Sequence, residues 1–284
     1  MTAALVRHQL AVFLVGSVAV GSLATAMLAE LSVRPTILAL VALPISYIPT
    51  LLAVLMLRVG GDAEERGAFR RRLTRWRVGL RWYVTGVVLV PFAHLAGVAL
   101  ATLWGGTFPL HLERLALLPL LFIANLGEEI GWRGYALPRL QRQFSSLVSS
   151  LILGAGWAAF HWVALGHNPS RPWAYVAVGS VSLIAMSVVM TWLFNRTGGS
   201  VVLMVVLHAM YDVVSLGVVP LGETNVPLLA FGLSGTVLGL LAVVFVLVNG
   251  PQLGRPPTLT NTPRCDSPSQ SLSYSPESDF PTPA

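Results

Sequence analysis

Residues 114–136 read RLALLPLLFIANLGEEIGWRGYA. The first two thirds form an apolar run that breaks into Glu128, Glu129 and then Arg133. A membrane-crossing helix needs ~20 mostly apolar residues, and this stretch is long enough. Ionisable groups at membrane depth cost a few kcal/mol each on insertion scales and face a protein-lined cavity rather than lipid. The stretch therefore predicts a spanning helix that carries its charge toward other helices.

The remaining composition agrees. Of 284 residues, 55% are hydrophobic and only 11% charged, about half the charge of a soluble domain. Apolar runs predict spans at 9–29, 36–57, 82–104, 114–136, 145–165, 173–194, 200–220 and 226–249. The expected fold class is all-α: a polytopic membrane protein of about eight transmembrane helices around a polar intramembrane cavity. Arg7 before the first run resembles a signal peptide, but the run from Gln9 to Leu28 is too long for one and reads as a retained helix. Pro44 and Pro49 predict a kink in the second span.

Arginine sets the orientation. All 18 cations are arginine, a bias that points to a GC-rich bacterial genome and not to a nucleic-acid surface. Eight of them fall between Arg58 and Arg81. Positive loops mark the cytoplasmic side. With eight alternating spans, 14 arginines fall inside and Arg34, Arg114 and Arg171 outside, with Arg133 in the membrane. The expected location is the bacterial plasma membrane, multi-pass, with both termini cytoplasmic. Trp76 and Trp82 beside the arginine-rich loop read as interfacial anchors, as do most of the tryptophans. Residues 250–284 hold eight prolines and six serines and read as a disordered tail beyond a helical domain at 1–249. The single cysteine, Cys265, falls in that tail, which excludes an internal disulfide.

The polar residues inside the spans form stripes. Glu129 and Arg133 are four apart and can pair, while Glu128 is turned ~100° away. Trp157 and His161 are four apart in the fifth span, and His208 and Asp212 in the seventh. Gly127, Gly131 and Gly134 allow close approach of a helix or a substrate. Asn125 lies one turn before Glu129 and reads as a cap or a cavity-lining residue. His94 reads as a satisfied interhelical histidine; His8, His111 and His167 fall near helix ends.

A carboxylate beside histidines can deprotonate a water. Two histidines with carboxylates can instead bind a divalent metal that acidifies a bound water. A histidine with an Asn- or Asp-type partner one turn away can stabilise an oxyanion. The sum is a hydrolase of an acyl bond, with a peptide as the leading substrate. HExxH and GxSxG are both absent. The rival readings are a non-enzymatic membrane scaffold or immunity factor, and a transporter using the same groups as a proton relay.

Glu128-Glu129-x-x-x-Arg133, the aromatic-to-histidine step Trp157–His161 and His208-x-x-x-Asp212 together resemble the three motifs of the CPBP intramembrane proteases. That family includes the type II CAAX prenyl endopeptidases and bacterial Abi proteins. The segment from Leu193 to His208 is similar to the family's short loop and following helix. The resemblance spans about 120–215 and implies a protease core at about 114–220, with a cavity open to the cytoplasmic side. It implies that Glu128 activates water with His161, that His208 and residue 212 support the oxyanion, and that Glu129 and Arg133 have supporting roles. It leaves two mechanisms: a divalent metal such as zinc held by Glu128, His161 and His208, or a metal-free glutamate. Expected partners are membrane lipids and a protein or peptide substrate, with or without a lipid modification, and no nucleic acid. Trp157 stands where the family usually has phenylalanine. Asp212 stands where eukaryotic members have asparagine; ionised, it cannot donate a hydrogen bond.

Overall fold

The computed structural model describes residues 8–30, 43–166, 173–220 and 223–256. Among these, eight helices are long and apolar enough to cross a membrane. They are built from α1 (Gln9–Ala29), α2 (Ile48–Gly60), α4 (Leu80–Ala101), α5 (Leu118–Glu129), α6 (Ser146–Gly166), α7 (Trp173–Arg196), α8 (Val201–Asp212) and α9 (Pro227–Asn249). A ninth helix, α3 (Ala63–Thr74), is polar. No strand occurs among the described residues. The chain is thus an all-α, multi-pass membrane protein. Helices satisfy their own backbone groups, which lipid cannot.

The eight spans sit where the apolar runs predict. The second is interrupted at Tyr47, between its two prolines, as the expected kink requires. The arginine-rich connection holds more than a loop. Asp62 caps α3 by accepting from the Glu65 amide, Glu64 and Glu65 lie in its first turn, and Arg71 and Arg72 lie in its last. Both charge placements favour the helix dipole. The reading of 58–81 as a plain loop missed this because the helix is stabilised by its ends and by Phe69 and Leu73, not by a continuous apolar stripe.

This polar helix helps to close one end of the bundle. Arg72 donates to the Gly134 carbonyl (2.8 Å), and Arg139 and Arg142 both donate to Glu65 (2.8 and 2.7 Å). Ser200 donates to the Arg75 carbonyl. Burial, with Arg139, Arg142 and Arg71 nearby, pulls Arg72 down to about 10. Gly198 and Gly199 adopt positive φ (63° and 88°) in the turn from α7 to α8, where Ser200 then caps α8. Contacts continue past the expected tail boundary at 249. Leu253 is fully buried, Asn195 donates to its carbonyl (3.2 Å), and Arg255 donates to the Gln141 carbonyl. Those contacts hold the chain as far as Arg255; residues 257–284, with Cys265, lie outside the described residues.

The opposite end is tied by the segments 102–114 and 218–226. Arg114 (2.7 Å) and His111 (3.0 Å) both contact the Glu223 carboxylate. The hydrogen bond from Arg114 holds that carboxyl below the usual range. His94 is buried with Nε2 3.2 Å from the Val219 carbonyl, while its Nδ1 has no hydrogen-bond partner among the described residues, so the expected satisfied histidine is satisfied at one nitrogen only. His167 lies outside the described residues.

The core runs through the middle of the bundle, around Phe13, Trp132, Trp157, Met190 and Leu203. Trp132 and Trp157 are fully buried, unlike exposed Trp76, Trp104 and Trp173, which keep the interfacial reading. Two glycines fix how α2 crosses the acid-bearing helix. A Cβ on Gly127 would lie 2.6 Å from the Tyr47 ring, and one on Gly131 would lie 2.5 Å from the Pro49 carbonyl carbon. Thr50 adds a hydrogen bond to the Gly127 carbonyl. These glycines thus serve helix contact rather than substrate approach. Gly131→Ala should cost ~1–3 kcal/mol, because the neighbour it meets is backbone. A thermal melt in detergent unchanged from wild type would contradict this packing account.

Candidate active site

Glu128 and Glu129 are the last two residues of α5. The helix then widens into a π-helical segment, Ile130–Ala136. π turns are rare and concentrate at functional sites. Being adjacent on a helix, the two carboxylates point different ways. Glu129 turns into the bundle and is fully buried. It accepts from Arg133 (2.8 Å), also fully buried, and from His208 Nδ1 (3.0 Å). The Arg133 guanidinium lies over the Trp157 ring, 4.2 Å from its centroid.

Glu128 turns into a cavity. Its Oε2 accepts from the Trp157 indole N–H (2.8 Å), and its Oε1 lies 3.9 Å from His161 Nε2. His161 Nδ1 lies 2.9 Å from the Trp157 carbonyl. A carbonyl can only accept, so Nδ1 carries a proton, and in the neutral ring Nε2 presents a lone pair to Glu128. Two acceptors therefore face one another at a separation that one water can bridge by donating to both.

The third stripe closes the site. Both ring nitrogens of His208 face carboxylates: Nδ1 faces Glu129, and Nε2 lies 3.5 Å from Asp212 Oδ2. Asn125, buried on α5, donates to the same Asp212 oxygen (2.9 Å). A second π segment, Val213–Val218, follows Asp212 directly. Each of the two helix stretches that carry site carboxylates thus leaves α geometry just beyond them.

The cavity beside these groups measures about 570 Å³. Glu128, His161, His208 and Asp212 line it, with Trp157 and Tyr211. The structure therefore brings together acids and imidazoles from three spans. Glu129 and Arg133 do not line the cavity. They sit behind it and hold His208 and Trp157, so they are positioning residues.

One further expectation needs correction. The resemblance implied a cavity open to the arginine-rich, cytoplasmic side. The cavity instead runs to Leu165, Tyr175, Pro220, Glu223 and Phe231, at the opposite end of the bundle. The cause is visible at the basic end, where α3 and the segment 249–255 are hydrogen-bonded across the helix termini. Of the expected metal ligands Glu128, His161 and His208, His208 has a carboxylate near each nitrogen and Glu128 Oε2 holds the indole. Among the described residues no group of three or more His, Cys, Asp or Glu side chains has an arrangement that could hold a metal ion. No step below passes through a metal.

Trp157 does more than fill the place of the family's phenylalanine. Its indole N–H is a donor that phenylalanine lacks, and its ring joins Glu128, Arg133 and His208, the last at 5.1 Å between centroids. The signal available in sequence was a Trp one helical turn before a His.

The sequence model described as "Type II CAAX prenyl endopeptidase Rce1-like" matches residues 109–214. A relative named CAAX prenyl protease 2, from Methanococcus maripaludis, is 24% identical over 186 residues, covering 60% of this chain and 69% of the relative. The matched segment contains every site residue from Asn125 to Asp212, on the helices that bring them to one cavity. Over residues 109–214 this multi-pass membrane protein is similar to the type II CAAX prenyl endopeptidases.

Proposed function

We propose that this protein is an intramembrane endopeptidase in which Glu128 and His161 activate a water without a metal. The observation that carries this reading is the facing pair of acceptors, Glu128 Oε1 and His161 Nε2, 3.9 Å apart on the cavity wall. A water that donates to both keeps its oxygen lone pairs free for a peptide carbonyl. Glu128 takes the proton as the water attacks and can pass it to the leaving amine. The developing oxyanion needs a preorganised donor. His208 Nε2–H fits with the ring as an imidazolium whose Nδ1–H donates to Glu129, since it lines the cavity and is only loosely engaged at 3.5 Å. Asp212, fixed by Asn125, orients that imidazole. This removes the difficulty of an ionised Asp212 as donor. Glu129 and Arg133 hold His208 and Trp157 from behind.

Leu165, Leu183, Leu216 and Phe231 line the approach and suit an apolar side chain of a protein or peptide substrate. The test is substrate trapping with Glu128→Gln, followed by identification of the captured peptides. The reading predicts capture by this variant and cleavage of the same peptides by wild type. Metal analysis of the active, purified protein checks the metal-free step. Cleavage that survives chelation is expected; a stoichiometric ion lost together with activity in His161→Ala would overturn it.

Trp157→Phe probes the chain's own departure from the family residue. Hydrogen bonds to ionised groups contribute ~1.5–3 kcal/mol, so a ~10- to 100-fold fall in kcat is expected with little change in KM. Unchanged kcat would show that Glu128 keeps its orientation without the indole.

A further inference from the structure

We propose that the segment from Arg70 to Arg81 is a binding site for the anionic headgroups of membrane phospholipids, and that an occupied site tightens α3 against the helices that carry the site carboxylates. Neither half depends on the protease reading above. The span α2 ends at Gly60 and the span α4 begins at Leu80, so α3 and the connection after it lie at a bilayer surface. Between Glu65 and Glu113 the chain has seven arginines and no acid. Arg66 and Arg72 are engaged by the Gly61 and Gly134 carbonyls. Arg70, Arg71, Arg75, Arg77 and Arg81 are exposed, and none of them is paired with a carboxylate among the described residues.

The surroundings suit a lipid headgroup. The Arg77 guanidinium lies over the Trp76 ring (4.8 Å to its centroid) and that of Arg81 over Trp82 (5.0 Å). An aromatic face orients a guanidinium and leaves its N–H edge free for two phosphate oxygens. Trp76 and Leu80 are 57% and 78% exposed. Apolar groups interleaved with arginine fit the boundary between headgroups and acyl chains, not bulk water. The positive charge is also poorly neutralised from within. Glu65 is already shared by Arg139 and Arg142. Burial, followed by Arg139, Arg142 and Arg71, pulls Arg72 down to about 10. An anionic lipid supplies the charge that the fold lacks.

The same segment is tied to both acid-bearing helix stretches. Arg72 donates to Gly134 in the π segment that follows Glu129, and buried Phe69 packs where a Cβ on Gly134 would stand 3.3 Å from its ring. Ser200, the cap of the helix bearing His208 and Asp212, donates to the Arg75 carbonyl. A phosphate among these arginines relieves their mutual repulsion and so favours the packed position of α3.

Native mass spectrometry of the purified protein with phosphatidylglycerol or phosphatidylcholine tests the site. Wild type should retain phosphatidylglycerol ~10-fold better at low salt and lose that preference at ~1 M salt, where the screening length falls to ~3 Å. The variant Arg70→Gln/Arg71→Gln/Arg75→Gln/Arg77→Gln should lose the preference at any salt. Arg77→Gln with Arg81→Gln, which leaves α3 intact, should lose part of it and serves if the fourfold variant does not insert. Equal retention of the two lipids by wild type would overturn the proposal, and so would an undiminished preference in the variants. Thermal melts in nanodiscs read the coupling: phosphatidylglycerol should raise the midpoint of wild type and not of the fourfold variant. Retention with no shift in wild type would overturn the coupling. Inorganic phosphate at matched ionic strength should not reproduce the shift; if it does, the occupant is a soluble anion and the lipid assignment fails.

Discussion

Glu128→Gln should lower cleavage by ~10²–10⁴-fold, the range that a positioned general base contributes, while leaving the protein folded in the membrane. The amide keeps the shape of the acid. Its oxygen still accepts from the Trp157 indole, and its NH₂ then faces His161 Nε2 across the 3.9 Å gap. What it loses is the capacity to take a proton. Cleavage measured beside a detergent melt separates chemistry from stability. Activity within tenfold of wild type would mean that Glu128 is not the base, and the assignment of the whole cavity would fail with it.

Arg133→Ala should be the most damaging change to stability, at ~3–5 kcal/mol, the cost of breaking a buried ion pair by removing one partner. Both Arg133 and Glu129 are fully buried, so Glu129 would keep only His208 as a hydrogen-bond partner. The guanidinium that packs on Trp157 would also go. The double variant Arg133→Met with Glu129→Gln should recover part of the loss, since it buries no unpaired charge. Unfolding free energies from detergent titration of Arg133→Met, Glu129→Gln and the double make the comparison. Strictly additive effects would show that the pair is not coupled.

Much of the molecule was legible from the chain. The eight spans depend on length and apolarity, which are local properties. The i,i+4 pairing of Glu129 with Arg133 and the common stripe of His208 and Asp212 follow from helical period alone. Other features were not legible. α3 is held by its caps and charges rather than by a continuous hydrophobic face. The two π segments give no local signal in residue type. Trp157 looked like a substitution of one aromatic for another because its importance lies in where its N–H points. Asn125 was read as a cap or a lining residue, and its contact with Asp212 crosses 87 positions of sequence.

The sequence by itself determined that the chain crosses the membrane eight times, which connections are basic, and which three spans carry the reactive side chains. These follow from transfer energies and helical period, which each segment carries alone. Only the tertiary structure decided which carboxylate faces the cavity, that His208 lies between two carboxylates, and toward which end the cavity leads. Those outcomes depend on how helices rotate and seal against one another, a matter of contacts between residues far apart in the chain.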